Sequence, residues 1–487
     1  MSKSPYNIII INPDQMRADY MTPAGHPFID TRNLNRLAEK GTYFPNAFTT
    51  SPMCGPSRTS FITGQYPIEH QIRNYVGTMS PDYPNMLSEL KRNGYNLGLF
   101  GKDHIIEPDA IGVMYDEGED ICIGNMDDHP GYKKSWDSGS LTAESKYNLT
   151  ERLTTNCLSF IERNVTENKP YFATINLQDP HPYFAAPAPY DSLFSAEQFE
   201  LPKSFRTSVD NKEPVRLTNW RIHSESLQAT EQEMKEAMAM YCGQIRYVDD
   251  QVGRIIDKLE QLDQLDNTVI IFWSDHGEFL GDFGVTHKGL MFYDCLTRIP
   301  LIMYDPSGHL SSGSNSHLVE SIDIMPTVLS ILGIDTPSYC RGQSLISEDY
   351  IERESVLAEG GIYAMQPKAP ISGLAIKAPH DPTQWGPGTM LRTKKHKLVI
   401  YADDNGELYD LTADPEETTN LFDDESYNEI RHELTLTLLK RQQCQGQPPE
   451  FLPKTAQKVF ERNPKSYLGD FEQHENLLRI KKMKNNL

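Results

Sequence analysis

Five short apolar runs rich in β-favouring residues recur through the first three hundred positions, and each stops abruptly at polar residues: Tyr6 to Ile11, Tyr95 to Phe100, Tyr171 to Leu177, Thr268 to Trp273 and Pro300 to Tyr304. A run without polar alternation has no face to leave in water, so these predict parallel strands buried on both sides. Helical patterns separate them, over Asn33 to Lys40, Asn85 to Asn93, Lys146 to Asn164 and the long amphipathic stretch Glu231 to Leu262. Alternation of this kind predicts an α/β fold, a large mixed, mostly parallel sheet flanked by helices. Ligands gather at the carboxyl ends of such strands, which makes the polar residues after each run the candidates for function.

Beyond the Pro- and Gly-rich stretch Met365 to Thr389 the pattern changes. Lys397 to Tyr401 and Glu407 to Leu411 read as short antiparallel strands, and Glu425 to Arg441 as a closing helix. The expectation is a catalytic domain over residues 1–370 and a smaller C-terminal α+β domain over 371–487, as suits a chain of 487 residues that outgrows a single core.

A formal charge of −22 excludes nucleic acid as a natural partner and requires any anionic substrate to meet a local positive pocket. No apolar run nears the roughly 20 residues of a membrane span. The first strand begins a few residues after Met1, so the expectation is a cytoplasmic protein with no signal peptide and no membrane partner. The cysteines at 54, 122, 157, 242, 295, 340 and 444 include no C-x-x-C pair and read as reduced thiols.

Three segments carry the chemistry. In Ser51 to Ser60, Pro56 suits the first position of a short helix, placing Cys54 and Gly55 near its cap, where free N–H groups and the helix dipole favour negative charge. Arg58, one turn on, adds a planar fork of donors. Taken alone, this reads more readily as a buried structural cysteine beside a surface salt-bridging arginine. The first run is followed by Asn12-Pro13-Asp14-Gln15 and the fourth by Ser274-Asp275-His276-Gly277-Glu278. Two carboxylates, an amide and an imidazole converging from neighbouring strands make an oxygen-rich site for a hard divalent ion. Singly, Asp14 is a turn residue and Asp275 a helix cap.

The stretch Cys54-Gly55-Pro56-Ser57-Arg58 resembles the signature of the sulfatases, a branch of the alkaline phosphatase superfamily. Thr31 to Ala47, Tyr241 to Leu259, Leu318 to Leu345 and Glu407 to Leu411 look like landmarks of the same family in the same order, so the likeness covers most of the chain; it is weakest over Met114 to Trp136. The resemblance implies an alkaline phosphatase-like sheet and oxidation of Cys54 to formylglycine, whose hydrate is the nucleophile. It also implies that Asp14, Gln15, Asp275 and His276 bind one divalent metal together with residue 54. The resemblance makes Ca²⁺ the first choice; many members have Asp at the Gln15 position and Asn at the His276 position, so this site carries one carboxylate fewer and one imidazole more, which brings in Mn²⁺ beside it, with Mg²⁺ a further alternative. Gly101-Lys102-Asp103-His104, Asp179-Pro180-His181 and His287-Lys288-Gly289 resemble further family segments. They nominate Lys102, His104, His181 and Lys288, with His287 a mere neighbour and Asn74 a further substrate contact.

The implied reaction is hydrolysis of a sulfate monoester. Arg58 and the metal hold one hydroxyl of the hydrate as alkoxide, while Lys102 and Lys288 neutralise the sulfuryl oxygens. His181 with Lys288 protonates the leaving oxygen, and His104 takes the proton whose removal expels sulfate. The expected partners are a small-molecule or saccharide sulfate ester and a formylglycine-generating maturation enzyme, with homo-oligomerisation left open. The alternatives are a phosphonate monoester or phosphodiester hydrolase using the same machinery, and a binding protein never converted at Cys54.

Overall fold

The computed structural model describes residues 5–443 apart from 75–76, 108–109, 122–128, 143–144, 207–213, 225, 362–385 and 403–404. Most of the stretch Met365 to Thr389, and the cysteines at 122 and 444, lie outside the described residues.

The large sheet is built from β1 (Asn7–Pro13), β2 (Thr42–Tyr43), β3 (Asn96–Gly101), β4 (Glu117–Glu119), β5 (Tyr171–Leu177), β6 (Thr268–Trp273), β7 (Leu301–Tyr304) and β8 (Gly313–Ser314). Its order is β8-β2-β7-β6-β1-β5-β3-β4. β1 runs parallel to β5 and β6, with Ile8 opposite Phe172 on one side and Val269 on the other, and β3 continues the parallel set beside β5. The last of the five expected parallel strands departs from the reading. β7 is antiparallel to β6, with Leu301 opposite Trp273. A parallel return needs a crossover that carries the chain back to the far end of the sheet. Here the intervening segment stays at the carboxyl end of β6, and β7 re-enters the sheet from that end.

The helices that matter for the site are α1 (Arg32–Lys40), α2 (Cys54–Thr63), α3 (Met86–Arg92), α4 (Leu149–Thr166), α5 (Glu231–Gln261), α6 (Ile324–Ile331) and α7 (Asn428–Gln443). Ile9 and Ile11 of β1 pack with Leu34 and Leu37 of α1, Phe160 of α4 and Ile245 of α5. Ile8 and Ile10 pack on the opposite face with Phe61 of α2, Leu87 of α3 and Val328 of α6. Each such isoleucine contributes about 2–3 kcal/mol of burial.

With both faces apolar, hydrophobic pattern alone does not fix strand register. The polar residues at the strand ends do so. Asn12 Nδ2 donates to the Trp273 carbonyl at 3.1 Å, and Ser274 Oγ donates to the Pro13 carbonyl at 2.8 Å. These two bonds also align Asp14 with Asp275.

A second, antiparallel sheet comprises β9 (Ser355–Gly360), β10 (Gly388–Thr393), β11 (His396–Tyr401) and β12 (Gly406–Asp410). Its first strand comes from ahead of residue 370. Leu434 and Leu438 of α7 close it against Leu391, Leu398 and Leu408.

Candidate active site

α2 starts at Cys54, two residues ahead of the expected position, so Met53 is its N-cap and Pro56 its third residue instead of its first. Proline is tolerated there because the N–H groups of a first turn have no intrahelical acceptor. Every residue of α2 is buried. Ser57 Oγ donates to the Asp275 carbonyl at 2.7 Å, which docks the helix start directly on the end of β6.

Four ligand-type side chains meet at that junction. One ligand atom from each of Asp14, Cys54, Asp275 and His276 lies within 4.8 Å of the others, and all four residues are buried. Cys54 Sγ is 3.0 Å from His276 Nε2 and 3.6 Å from Asp14 Oδ1. His276 Nδ1 donates to the Gly277 carbonyl at 2.9 Å, which turns the Nε2 lone pair toward the cluster. Arg58 lies behind it, with Nε on Asp275 Oδ2 at 2.8 Å, one terminal nitrogen on Asp14 Oδ2 at 3.3 Å and the other on the Lys102 carbonyl at 2.8 Å. The Lys102 ammonium donates to the same Asp14 oxygen.

A second group adjoins the first. Lys288 Nζ is 2.6 Å from Gln15 Oε1 and 2.7 Å from His181 Nε2. His181 Nδ1 donates to the Pro182 carbonyl at 2.5 Å, so Nε2 is the acceptor. Gln15 donates through its side chain to Glu278 and through its backbone N–H to Asp275 Oδ1 at 3.1 Å. Its amide oxygen is therefore engaged with Lys288. His104 and Asn74 border the first turn of α2: a Cβ on Gly55 would meet their carbonyl oxygens at 3.5 and 3.6 Å. The structure thus brings all of the nominated residues to one end of the sheet.

Electrostatics follow from this packing. Burial opposes charge on Asp14, yet Lys102, Arg58 and Lys288 outweigh it and hold the carboxyl well below its ordinary range. Burial and Asp14 also oppose a thiolate at Cys54; the permanent charges of Lys102 and Lys288 prevail and hold it well below the usual thiol value. Burial, reinforced by Lys288, pushes His181 well down and keeps it neutral. The cavity therefore favours negative charge at residue 54 and beside Lys102 and Lys288, inside a chain whose net charge is −22.

Glu278 is the member of this network to which the sequence reading gave no role. Its carboxylate accepts from Gln15, from the Leu280 N–H at 3.1 Å and from the His287 N–H. Its place two residues after His276 was the available signal.

The donor set fits a hard divalent cation. Two carboxylates and an imidazole aimed by its own backbone bond face residue 54, with permanent cations placed behind the carboxylates. Thiolate-rich zinc sites look different, since they draw most ligands from cysteine.

Comparison with known proteins agrees with this geometry. Residues 6–334 match the sulfatase family, and residues 383–444 match the C-terminal family of N-sulphoglucosamine sulphohydrolase. An arylsulfatase of Clostridium perfringens is 29% identical over 89% of this chain and 94% of its own. A choline-sulfatase of Rhizobium meliloti is 27% identical, covering 86% and 83%. The phosphonate monoester hydrolase of Agrobacterium radiobacter shares the fold, with a TM-score of 0.74 at 23% identity over 90% of this chain and 96% of that one. The chain belongs to the sulfatase family, the sulfuric ester hydrolases of the alkaline phosphatase superfamily.

Proposed function

We propose that this chain hydrolyses a small-molecule or saccharide sulfate monoester at the junction of β1, β6 and α2. The observation that carries the reading is the convergence of Asp14, Cys54, Asp275 and His276 within 4.8 Å, backed by Arg58 and Lys102. The arylsulfatase and choline-sulfatase relatives, together with an N-acetylglucosamine-6-O-sulfatase of Bacteroides thetaiotaomicron, support that substrate range.

Family membership implies a divalent metal and a formylglycine at the Cys54 position. When bound, the metal supplies Lewis-acid stabilisation of negative charge at residue 54 and on the sulfuryl group. Asp14, Asp275 and His276 would hold it together with residue 54, with Gln15 beside them, and Ca²⁺ would suit the two carboxylates. Once oxidised by a maturation enzyme, residue 54 supplies the nucleophilic oxygen.

The chain's own groups do the rest. Arg58 stabilises the anionic form of residue 54 and orients Asp14 and Asp275. Lys102 and Lys288 draw in and neutralise the sulfuryl oxygens. The Lys288 ammonium, oriented by its hydrogen bond to Nε2 of a neutral His181, gives a proton to the departing alcohol, and His181 holds it in place for that transfer. His104, at the start of α2, removes the proton that releases sulfate, and Asn74 lines the same turn.

Two measurements test this. Peptide mass spectrometry reports conversion, because the Cys54 peptide loses sulfur and gains oxygen; the expected result is a lighter peptide. Paired assays with p-nitrophenyl sulfate and p-nitrophenyl phenylphosphonate are expected to favour the sulfate. A preference for the phosphonate assigns the alternative chemistry, consistent with the shared fold of the phosphonate monoester hydrolase.

A further inference from the structure

The loop that carries Lys288 is clipped to the part of the chain least recognisable in sequence. Tyr132 lies in the stretch Met114 to Trp136, and its hydroxyl donates to His287 Nε2 at 2.8 Å, with the two rings 6.2 Å apart and inclined by 27°. Accepting at Nε2 requires His287 to carry its proton on Nδ1. The backbone of Ser135, three residues after Tyr132, takes the ring's other hydrogen bond. Burial, then the charge of Lys288, pushes the His287 pKa down to about 3, so neither bond is lost by protonation near neutrality. Tyr132 is itself braced, since its ring lies 5.8 Å from that of Tyr183, on which His129 stacks at 4.7 Å.

The main chain of His287 is held as firmly as its side chain. Its φ of 67° is left-handed, a conformation that costs a non-glycine residue about 1–2 kcal/mol unless its surroundings impose it. The Glu278 carboxylate accepts its N–H, and its carbonyl accepts the Phe279 N–H at 3.0 Å. Lys288, next in sequence, then spans to His181 Nε2 at 2.7 Å, and the rings of His181 and His287 meet edge to face at 6.4 Å. A lysine has four rotatable side-chain bonds, so the placement of its ammonium depends on a fixed starting point. His287 supplies that fixed point.

We infer that His287 is a positioning residue for leaving-group protonation: held by Tyr132 and Ser135, it sets the backbone from which Lys288 reaches His181, and so couples the enzyme's ability to cleave poor leaving groups to the stretch that carries Tyr132. The inference rests on the roles proposed above for Lys288 and His181. A phenolate such as p-nitrophenolate departs with little help from a proton, whereas an aliphatic or sugar alkoxide requires it. A displaced Lys288 therefore slows the second class of ester more than the first, which loses only part of the neutralisation that Lys288 shares with Lys102, while loss of general fold integrity slows both alike.

The test compares p-nitrophenyl sulfate with an alkyl sulfate in His287→Ala, His287→Gln, Tyr132→Phe and Lys288→Ala, each brought to equal metal and formylglycine content. His287→Ala is expected to lower kcat on the alkyl sulfate about 10- to 100-fold, within the range of general acid catalysis, and on the aryl sulfate less than about threefold. Gln places an amide oxygen where Tyr132 finds Nε2 and is expected to restore most of the alkyl activity. Tyr132→Phe, which removes one oxygen and keeps the ring, is expected to show the same split at smaller size. Equal losses on both esters in His287→Ala and no split in Tyr132→Phe, alongside a clear split in Lys288→Ala, overturn the inference and leave the site reading standing. A Lys288→Ala enzyme with no leaving-group dependence overturns both.

Discussion

Among the buried groups of carboxylates and cations in the described residues, the one around Glu320 and the one at the candidate active site differ in where their atoms point. Around Glu320 every valence is closed. Arg353 grips Asp323 through two bonds at 2.6 and 2.7 Å and reaches Glu320 at 3.1 Å, while Tyr66 and the Leu357 N–H fill the Glu320 oxygens at 2.6 and 2.7 Å. Arg441 of α7 completes the set from the end of the described chain, 2.7 Å from the Tyr66 hydroxyl and 3.1 Å from Glu320. At the candidate active site the same kinds of groups converge on one point, with a carboxylate from each of two strands, an imidazole and a sulfur within 4.8 Å. Pairing that is complete holds the second sheet in place, whereas convergence turns several ligand-type atoms toward one point. Composition and burial do not separate the two clusters; geometry does.

The sharpest way to break this contrast is Cys54→Ala. It is expected to remove turnover by a factor of about 10³ or more while leaving the thermal unfolding midpoint nearly unchanged, as checked by aryl sulfate assay and calorimetry. Retained activity would mean that convergence at residue 54 has no chemical purpose. Chelation comes next in size. Removing divalent ions is expected to abolish activity and lower Tm, because an ion that binds only the native state stabilises it by mass action. Restoration by Ca²⁺ at lower concentration than by Mn²⁺ or Mg²⁺ would identify the preferred ion.

The closed cluster should behave oppositely. Arg353→Met takes from the buried Asp323 its cation and leaves Glu320 to Arg441 alone, and is expected to cost about 3–5 kcal/mol in denaturant unfolding, with kcat of the folded fraction unchanged. A matching fall in kcat would show that the two clusters communicate.

The smallest effect sharpens the comparison with a third kind of buried carboxyl. Asp179 is held by neutral donors, Thr150 at 2.6 Å and Gln244 at 2.8 Å, and burial raises its pKa to about 6. A carboxyl raised in the native state lends stability that is full below the unfolded value near 3.8 and is lost as pH climbs through 6. The loss amounts to about 3 kcal/mol at most. Asp179→Asn is expected to flatten this part of the stability–pH curve between pH 4 and 6.

Much of this arrangement was legible in the chain because strands buried on both sides announce themselves as apolar runs, and because chemistry at the carboxyl ends follows them directly. Asp14, Lys102, His181 and Asp275 are each found within four residues of a strand's last position for that reason. The direction of β7 was not legible, since an apolar run reads the same in either sense and only its register against Trp273 decides. The start of α2 was misplaced because proline is compatible with any residue of a first turn. The first strand of the small sheet was hidden by Glu359 and Gly360, whose burial comes from tertiary packing and not from pattern. The pairing of Tyr132 with His287 spans 155 residues, and nothing local to either announces it.

Cys54 is 1% exposed, and what covers it includes His276, made 222 residues later. At a synthesis rate of about 5–20 residues per second, some 10–45 s pass on the ribosome before the covering strand exists. If residue 54 is oxidised as proposed above, its thiol is open to that chemistry only before the sheet closes over it.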